Sequence, residues 1–439
     1  MAKLEQLLQR VERVPVHKPR GEVTDVVGLV IEVGGLRAAV GDTLEVVGYR
    51  GLVAIEVVGF RKGRLLATPL GNLAGIHPGA EVRASERGGA VAVSDALLGR
   101  VVDAFGVPMD GPVLTKETDY REAHAPPPSP FDRQPIDAPF ATGVRVIDSM
   151  LTLGVGQRVG IFAGSGVGKS TLLGMICRES QADVNVVALV GERGREVNDF
   201  VRVALGPEGL ARSIVVAATS DQPPVVRARG AEAATAIAEY FRDQGKSVLL
   251  VMDSVTRYAM ALRETALAAG EPPATKGYPP SVFAALPRLL ERTGTGAGKG
   301  VITALYTVLV EGDDLSDPIA DTVRGILDGH VVLSRSLAER GHFPAIDVLK
   351  SVSRLAHEVA PEELIRAAHR VRGLLGAYRD AADLIQVGAY VRGSDSRVDR
   401  AIKMMPAIDN FLKQAVNEHA PAEESHRRLE GLAKAGGAE

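Results

Sequence analysis

The spacing of apolar positions divides the chain into stretches of different character. Residues 1–14, MAKLEQLLQRVERV, repeat apolar side chains at helical spacing and so predict one stripe of an amphipathic helix, which Pro15 and Pro19 end. The stripe consists of Leu4, Leu7, Leu8, Val11 and Val14. Two interpretations stay open from the residues alone: a helix packed on its own domain, or a docking face for a partner helix or a membrane surface.

Short apolar runs separated by Gly-Gly and Gly-Asp turn signals follow between residues 21 and 90, as in EVTDVVGLVIEVGGLRAAVGDTLEVVG. They predict several short strands in a small barrel or sandwich. Residues 108–140 then hold eight prolines, three of them consecutive at 126–128. This density predicts a connecting segment that is neither helix nor central sheet.

From about residue 141 continuous β-branched runs alternate with helical stretches. The runs are VGIFA, VNVVALV, SIVVAAT, SVLLVMD and VITALYTVLV. This alternation predicts a parallel sheet covered on both faces. After Pro361 the pattern becomes helical, with two glutamates where a helix N-terminus favours negative charge. The stretch SDSRVDRAIKMMPAIDNFLKQAV continues this style, and we expect Pro406 to interrupt it.

Composition narrows the class of protein. A chain of 439 residues suggests two to four domains, and a net charge of −3 argues against a protein that coats a polyanion. The single cysteine, Cys177, excludes an internal disulfide and a cysteine metal cluster. The sequence resembles no signal peptide, and no uninterrupted apolar run reaches about 18 residues. We therefore expect a cytoplasmic protein.

A phosphate-binding loop is predicted at residues 162–171, FAGSGVGKST, which follow the strand RVGIFA and precede a helical run. Small residues let the backbone wrap around a nucleoside triphosphate so that its N–H groups point at the phosphate oxygens. Ala163 stands where the strict pattern has glycine, a change that relaxed forms of the pattern tolerate. The predicted nucleotide-binding residues are Gly164, Ser165, Gly166, Val167, Gly168, Lys169, Ser170 and Thr171. Lys169 would reach the β- and γ-phosphates, and Ser170 would ligate Mg²⁺.

Two further strands end in acids that suit hydrolysis. Asp253 ends SVLLVMD, where it would orient Mg²⁺ through water. Its neighbour Ser254 is no base, so we assign the general base to Glu192, which follows VNVVALV. An exposed loop charge is the alternative for Glu192. Arg193 could touch phosphate, whereas Glu196 favours a structural role.

Six motifs in series then carry a family resemblance: GIFAGSGVGKSTLLGM, GERGREVNDF, VMDSVTRYAMALRE, GEPPATKGYPPSVFAALPRLLERTG, EGDDLSDPIADTVRGILDGHVVLSR and PAIDVLKSVSR. Together they closely resemble the flagellar type III export ATPases, which are relatives of the rotary F-type α and β subunits. The virulence (injectisome) export ATPases share nearly every motif and remain the alternative. The resemblance runs from about residue 21 to the C-terminus.

The resemblance implies an α/β fold with a RecA-like P-loop core, an N-terminal β-barrel and a C-terminal helical domain. We expect a docking helix over residues 1–20, the barrel over 21–90, the ATPase domain over 91–360 and the helical domain over 361–439. Members of the family work as homohexamers with ATP and Mg²⁺ between subunits.

The resemblance also implies roles for single residues. Lys169, Ser170, Asp253, Glu192 and Arg193 match the catalytic set of the family. Arg354, in SVSR, matches the arginine finger given to a neighbouring subunit. Phe343, in GHFPAID, falls where an aromatic side chain packs on adenine, and Tyr390 matches the other wall of that pocket.

Partners are implied in the same way. ATP hydrolysis in this family supports the unfolding and delivery of export substrates, with their chaperones, at a membrane-embedded gate. A stator-like regulator binds the N-terminal helix, and a coiled-coil stalk protein enters the hexamer. This favours the docking interpretation of Leu4, Leu7, Leu8 and Val11, and a peripheral position at the inner face of the cytoplasmic membrane.

Two other functions compete with this assignment. A hexameric RNA translocase would need a basic groove with stacking aromatics. Residues 1–90 hold twelve basic and ten acidic residues and only two aromatics, Tyr49 and Phe60, so we expect no nucleic-acid partner. A non-catalytic nucleotide-binding subunit would lack the base, whereas this chain carries both Glu192 and Arg354.

Overall fold

The computed structural model describes residues 19–85, 88–113, 118–310 and 316–437. The described residues form two compact units: one holds those up to Gly89 together with Glu264–Pro272, and the other holds the rest. The predicted N-terminal docking helix lies outside the described residues. The predicted domain boundaries stay a prediction.

The first unit contains a closed antiparallel β-barrel with the strand order β1-β2-β5-β4-β3-β6. Alternate side chains such as Ile31 and Val33, or Ile55 and Val57, fill its interior, as period-two patterning requires. Closure removes the open sheet edges that a sandwich would retain. The strands are β1 Arg20–Val27, β2 Val30–Gly34, β3 Thr43–Gly48, β4 Gly51–Arg61, β5 Arg64–Pro69 and β6 Glu81–Ala84.

Three short strands between residues 90 and 122 also belong to the second unit, and only the one at Asp119–Glu122 lies within the predicted connecting segment 108–140. Strand β7 (Ala90–Val93) pairs with β9 (Asp119–Glu122), and β8 (Val101–Val102) adds a parallel strand to the edge of the central sheet. The consecutive prolines at 126–128 lie outside every helix and strand, because a proline nitrogen has no hydrogen to donate.

The second unit is built on an eight-stranded sheet with the order β18-β17-β12-β16-β15-β13-β14-β8. All neighbouring strands run parallel except β18, which pairs antiparallel with β17. Apolar side chains of the same strands alternate between two large cores, one on each face, which explains their continuous hydrophobic sequences. The strands are β12 Arg158–Ala163, β13 Val184–Val190, β14 Ser213–Ala218, β15 Ser247–Asp253, β16 Val301–Leu309, β17 Gly329–Val332 and β18 Val352–Ser353, and a short pair, β10 Pro139–Phe140 with β11 Leu153–Gly154, lies beside them.

Helices cover both faces of this sheet. They are α1 Arg145–Met150, α2 Lys169–Glu179, α3 Gly194–Asp199, α4 Gly206–Ala211, α5 Pro224–Asp243, α6 Val255–Ala269, α7 Pro280–Leu290, α8 Pro318–Ile326, α9 Arg335–Glu339 and α10 Ala356–Val359. A π-helical turn at Phe200–Leu205 joins α3 to α4. Within the described ranges, no helix is both long and apolar enough to cross a bilayer.

The C-terminal helices share one core with the nucleotide-binding sheet. They are α11 Glu362–Asp380, α12 Ala382–Gln386, α13 Ser396–Leu412 and α14 Ala422–Ala435. Val371 and Ile408 are buried in the same cluster as Val159 and Leu173. The expected interruption at Pro406 is wrong, because α13 runs through it. Buried Met404 and Ile408 on either side anchor the helix, and this packing compensates for the hydrogen bond that proline removes.

Candidate active site

The phosphate-binding loop joins the end of β12 to the start of α2. Gly166 and Gly168 adopt φ angles of 77° and 87°, values that side chains with a Cβ rarely adopt. Val167 turns into the core and is 2% exposed, which anchors the loop. Ser170 and Thr171 stand exposed in the first turn of α2, where free backbone N–H groups favour anions.

A cavity of about 460 Å³ opens over this loop at the carboxyl ends of the parallel strands. Its lining contains the P-loop residues Gly164, Ser165, Gly166, Gly168, Lys169, Ser170 and Thr171, together with Leu189, Glu192, Arg193, Glu196, Phe200, Asp253, Arg257 and Leu309. The structure therefore brings Lys169, Ser170, Glu192, Arg193 and Asp253 into one site, although β13 lies three strands away from β12.

Asp253 is a buried acid of the cavity with two side-chain partners. It is 3% exposed, and its carboxylate accepts a hydrogen bond of 2.8 Å from the Thr307 hydroxyl on β16. The Lys169 ammonium forms an ion pair with the same carboxylate oxygen and lies 3.8 Å from Glu192 Oε1. Lys169 thus stands between the two acids, within reach of both and of the P-loop.

Glu192 has the electrostatics of a base that works near neutral pH. Burial raises the pKa of its carboxyl to about 7, assisted by a hydrogen bond with Glu196 and by the negative charge of Asp253. Lys169 and Arg257 oppose this shift. The hydrogen bond from protonated Glu192 in turn lowers the pKa of Glu196, which is exposed and remains a carboxylate.

The donor set of the cavity fits a magnesium ion. Mg²⁺ prefers hard oxygen ligands and keeps several waters, so it needs only one or two protein oxygens beside phosphate. The Ser170 hydroxyl and the Asp253 carboxylate both line the cavity and supply such oxygens.

Sequence reasoning missed two contributors to this site. Arg257 on α6 lines the cavity, and its stem packs where a side chain on Gly191 would otherwise extend. Thr307 orients Asp253 from the neighbouring strand. Arg257 lies in the first turn of the helix that directly follows Asp253, and this closeness along the chain could have indicated that it lies near the same site.

The remaining predicted residues lie in three different places. Arg193 is exposed at the cavity rim, where its guanidinium lies 3.7 Å from Glu196. Phe343 is 45% exposed, and its ring lies 3.5 Å from the point that a Cβ on Gly168 would occupy. Tyr390 lies in the C-terminal helices, outside the lining of this cavity, and donates to the Asp395 carbonyl and the Asp399 carboxylate.

Arg354 lies just after β18, at the opposite edge of the sheet from β14 and β8. It is exposed and does not line the P-loop cavity. Its backbone N–H donates to the Asp328 carbonyl at 3.0 Å, and its guanidinium donates to the Arg324 carbonyl at 3.3 Å. One subunit therefore does not bring Arg354 to its own phosphate site.

Comparison with known proteins resolves the family. The nucleotide-binding domain of the ATP synthase alpha/beta family matches residues 143–353, and the C-terminal domain of the type III secretion ATPase EscN matches residues 360–431. The flagellum-specific ATP synthase of Bacillus subtilis is 53% identical over 433 residues, which cover 98% of this chain and 99% of that one. The chain belongs to the type III export ATPases.

Members of this family from virulence systems are also similar. The type 3 secretion system ATPase of Xanthomonas euvesicatoria is 50% identical over 418 residues, covering 94% of each chain. The structure of assembled EscN from enteropathogenic E. coli matches with a TM-score of 0.89 at 46% identity, covering 94% of this chain and 100% of that one. The structure of assembled EscN in complex with its central stalk EscO matches with a TM-score of 0.86 at 44% identity and the same coverage.

These relatives confirm three expectations from the sequence. The family resemblance is right, and so is the RecA-like core with an N-terminal barrel and C-terminal helices. The chain is an ATP-binding hydrolase of type III protein export, and the flagellar assignment leads. The roles of individual site residues stay predictions.

Proposed function

We propose that this export ATPase works in a flagellar apparatus as a homohexamer, with each ATP bound between two subunits. One observation carries the proposal. Lys169, Glu192 and Asp253 meet in one cavity, whereas Arg354 projects from the far edge of the same sheet. A closed ring with head-to-tail interfaces would unite the cavity of one subunit with the Arg354 edge of the next.

The P-loop would bind the triphosphate through its backbone N–H groups and the N-terminus of α2. Lys169 would exchange its contact with Asp253 for the phosphate oxygens. Ser170 and Asp253 would hold Mg²⁺, which when bound neutralises charge on the phosphates. Phe343 would stack on the adenine, because its exposed ring already lies beside the P-loop.

Glu192 would accept a proton from the attacking water. Its raised pKa places it where a general base is most efficient near neutral pH. The hydrogen bond to the exposed carboxylate of Glu196 gives that proton a path towards solvent. Arg193 and Arg257 line the same cavity and would balance the charge of the transferred phosphoryl group, together with Arg354 from the neighbour.

The proposed partners follow from the relatives and from the N-terminal sequence. A relative, EscN, has been solved assembled and with a central stalk, which supports a ring and a coiled-coil stalk partner here. We propose that Leu4, Leu7, Leu8 and Val11 dock a stator-like regulator. That contact would hold the ring at the inner face of the cytoplasmic membrane, near the export gate, its chaperones and its substrates.

Mixing two inactive variants tests the shared site. Glu192→Gln and Arg354→Ala should each lose turnover and should retain nucleotide binding. In a 1:1 mixture about one quarter of the interfaces would pair an intact Glu192 with an intact Arg354, so ATPase activity should return. An absence of any recovery, with mixed rings verified by affinity co-purification, would contradict a site shared between subunits.

The flagellar assignment has a separate test, because a relative from a virulence system is nearly as similar as the flagellar one. The chain should restore motility to a bacterium that lacks its flagellar export ATPase. Restoration of injectisome secretion alone, in a strain that lacks that ATPase, would favour the virulence assignment.

A further inference from the structure

The loop that carries Phe343 is held by the C-terminal helix α13 as well as by the nucleotide-binding sheet. On the sheet side, the Ser334 N–H donates to the Ala345 carbonyl at 2.7 Å. On the helical side, the contacts come from the last turn of α13 and the residues that follow it. The adenine-facing loop is therefore clamped between two parts of the same unit.

His342 makes the first of these helical contacts. Its side chain is 6% exposed, and Nδ1 lies 2.9 Å from Asp409 Oδ1 on α13. Burial opposes ionisation of Asp409, but hydrogen bonds from Lys413 and His342 hold its pKa below the ordinary value. Because the carboxylate can only accept, Nδ1 of His342 must carry the donated hydrogen. In the described part of the chain, Nε2 of His342 has no hydrogen-bond partner, so the bond to Asp409 is the one hydrogen bond that orients the buried ring.

Gln414 makes the second contact. Its backbone N–H donates to the Phe343 carbonyl at 3.0 Å. Its side chain, 5% exposed, donates to the Gly143 carbonyl at 2.9 Å and accepts from the Arg145 N–H at 2.8 Å. Gln414 thus links Phe343 to the start of α1, which packs in the core on one face of the sheet.

We propose that His342 is a positioning residue, which fixes the Phe343 ring over the nucleotide base through its bond to Asp409. The proposal rests on the stacking role of Phe343 proposed above. An exposed aromatic ring stacks well only if its backbone is already fixed, since otherwise ordering the loop consumes part of the binding free energy. The pair makes the affinity for the base depend on the position of α13.

The variants are chosen to separate orientation from folding. His342→Leu keeps an apolar volume in the buried site and removes the hydrogen bond, whereas His342→Asn retains a donor near the position of Nδ1. Asp409→Ala removes the acceptor from a half-exposed position. Lys413→Ala is the matched control, because it removes the other side-chain partner of Asp409 and leaves both members of the His342–Asp409 bond in place.

The full-length enzyme should be assayed for KM, kcat and the affinities of ADP and pyrophosphate. His342→Leu and Asp409→Ala should raise KM for ATP and weaken ADP binding by about five- to tenfold, which is part of the loss expected for one stacked base. We expect kcat to change less than about twofold and pyrophosphate affinity to stay unchanged, because neither depends on the base. His342→Asn should recover most of the affinity, and Lys413→Ala should match the wild type.

Phe343→Ala separates the stacking role of Phe343 from the positioning role of His342. If it weakens ADP binding and His342→Leu adds nothing in the double variant, His342 acts through Phe343. If Phe343→Ala weakens binding but His342→Leu and Asp409→Ala do not, the positioning role is wrong and the stacking role stands. If Phe343→Ala has no effect, the stacking role fails and the positioning role fails with it. Loss of pyrophosphate affinity in His342→Leu would indicate general damage and overturn the proposal.

Discussion

The cavity at the centre of the sheet and the edge at β18 hold charged groups in opposite environments. At the centre, Lys169 pairs with the buried Asp253 and lies 3.8 Å from the buried Glu192. At the edge, Arg354 is exposed and, among the described residues, bonds only backbone carbonyls. Burial and neighbouring charges at the centre raise the pKa of Glu192, whereas the Arg354 guanidinium at the edge pairs with no carboxylate among the described residues. We infer that one chain carries two halves of a site.

The largest effect should come from removing the cation at the edge. Arg354→Ala should lower kcat by about 10³-fold or more, because an arginine finger stabilises charge that develops only in the transition state. Arg354→Lys should recover little of this loss, since a lysine lacks the planar fork of donors. Turnover of the purified hexamer measures the effect, together with nucleotide affinity, which should change less than about threefold.

An exposed arginine on α11 provides the control for that experiment. Among the residues that the structure describes, Arg366 pairs only with the exposed Glu362 and Glu363 of its own helix, and Arg366→Ala should leave turnover unchanged. If Arg354→Ala retained wild-type kcat, the edge at β18 would be an ordinary solvated surface and not half of an active site.

The next largest effect should come from the ionisation of Glu192 in the cavity. A general base works when ionised, and the pKa of Glu192 is raised to about 7. We therefore expect kcat/KM to rise with pH through that value, with about a tenth of the maximal rate one unit below it. Glu196→Ala removes the hydrogen bond that favours the protonated form, so the acid limb should move to lower pH. A profile with no acid limb near neutral pH in the wild type would contradict Glu192 as the base.

Much of the centre could be predicted from the sequence, although Lys169 and its partner Asp253 are 84 residues apart. The P-loop is contiguous, so composition alone shows a cradle of small residues followed by Lys169. Asp253 and Glu192 were found because parallel strands release their ends at one edge. The alternation of apolar runs and helices likewise predicted the parallel sheet.

The features that the sequence did not predict depend on how distant segments pack against one another. Arg257 was missed because its place in the cavity depends on α6 packing below the loop after β13. The edge strand β8 was missed because it consists of only two residues, Val101 and Val102, which are too few to show a periodicity. Pro406 was misjudged because burial on both sides outweighs a local rule. The position of Tyr390 shows that a resemblance can name a residue whose side chain lies elsewhere in a single subunit.

A smaller effect should come from replacing Arg257, whose charge acts on Glu192 within the cavity. Its positive charge lowers the pKa of Glu192, so Arg257→Ala should move the acid limb of the pH profile to higher pH. Nucleotide affinity should also fall by about tenfold if the guanidinium contacts phosphate. The exposed Arg195, paired with Asp199 on α3, supplies a control whose replacement by alanine should change neither quantity. A shift of the limb to lower pH would contradict this sign.

The smallest effect on turnover should come from Asp328, which joins the two regions. Its carboxylate accepts from the Arg158 backbone N–H at 3.1 Å and from the Arg158 guanidinium at 3.1 and 3.2 Å, at the start of the strand that leads into the P-loop. Its backbone carbonyl holds Arg354, and Asp328→Ala leaves that carbonyl in place. We expect the free energy of unfolding to fall by about 1–3 kcal/mol in urea denaturation, while kcat falls less than about threefold.

Asp321→Ala is the control: it removes an exposed ion pair with Arg324 and should lower the free energy of unfolding by less than about 0.5 kcal/mol. If Asp328→Ala lost turnover as fully as Arg354→Ala without losing stability, the side chain at position 328 would belong to the edge half of the site, and the two regions would be linked more tightly than their contacts indicate.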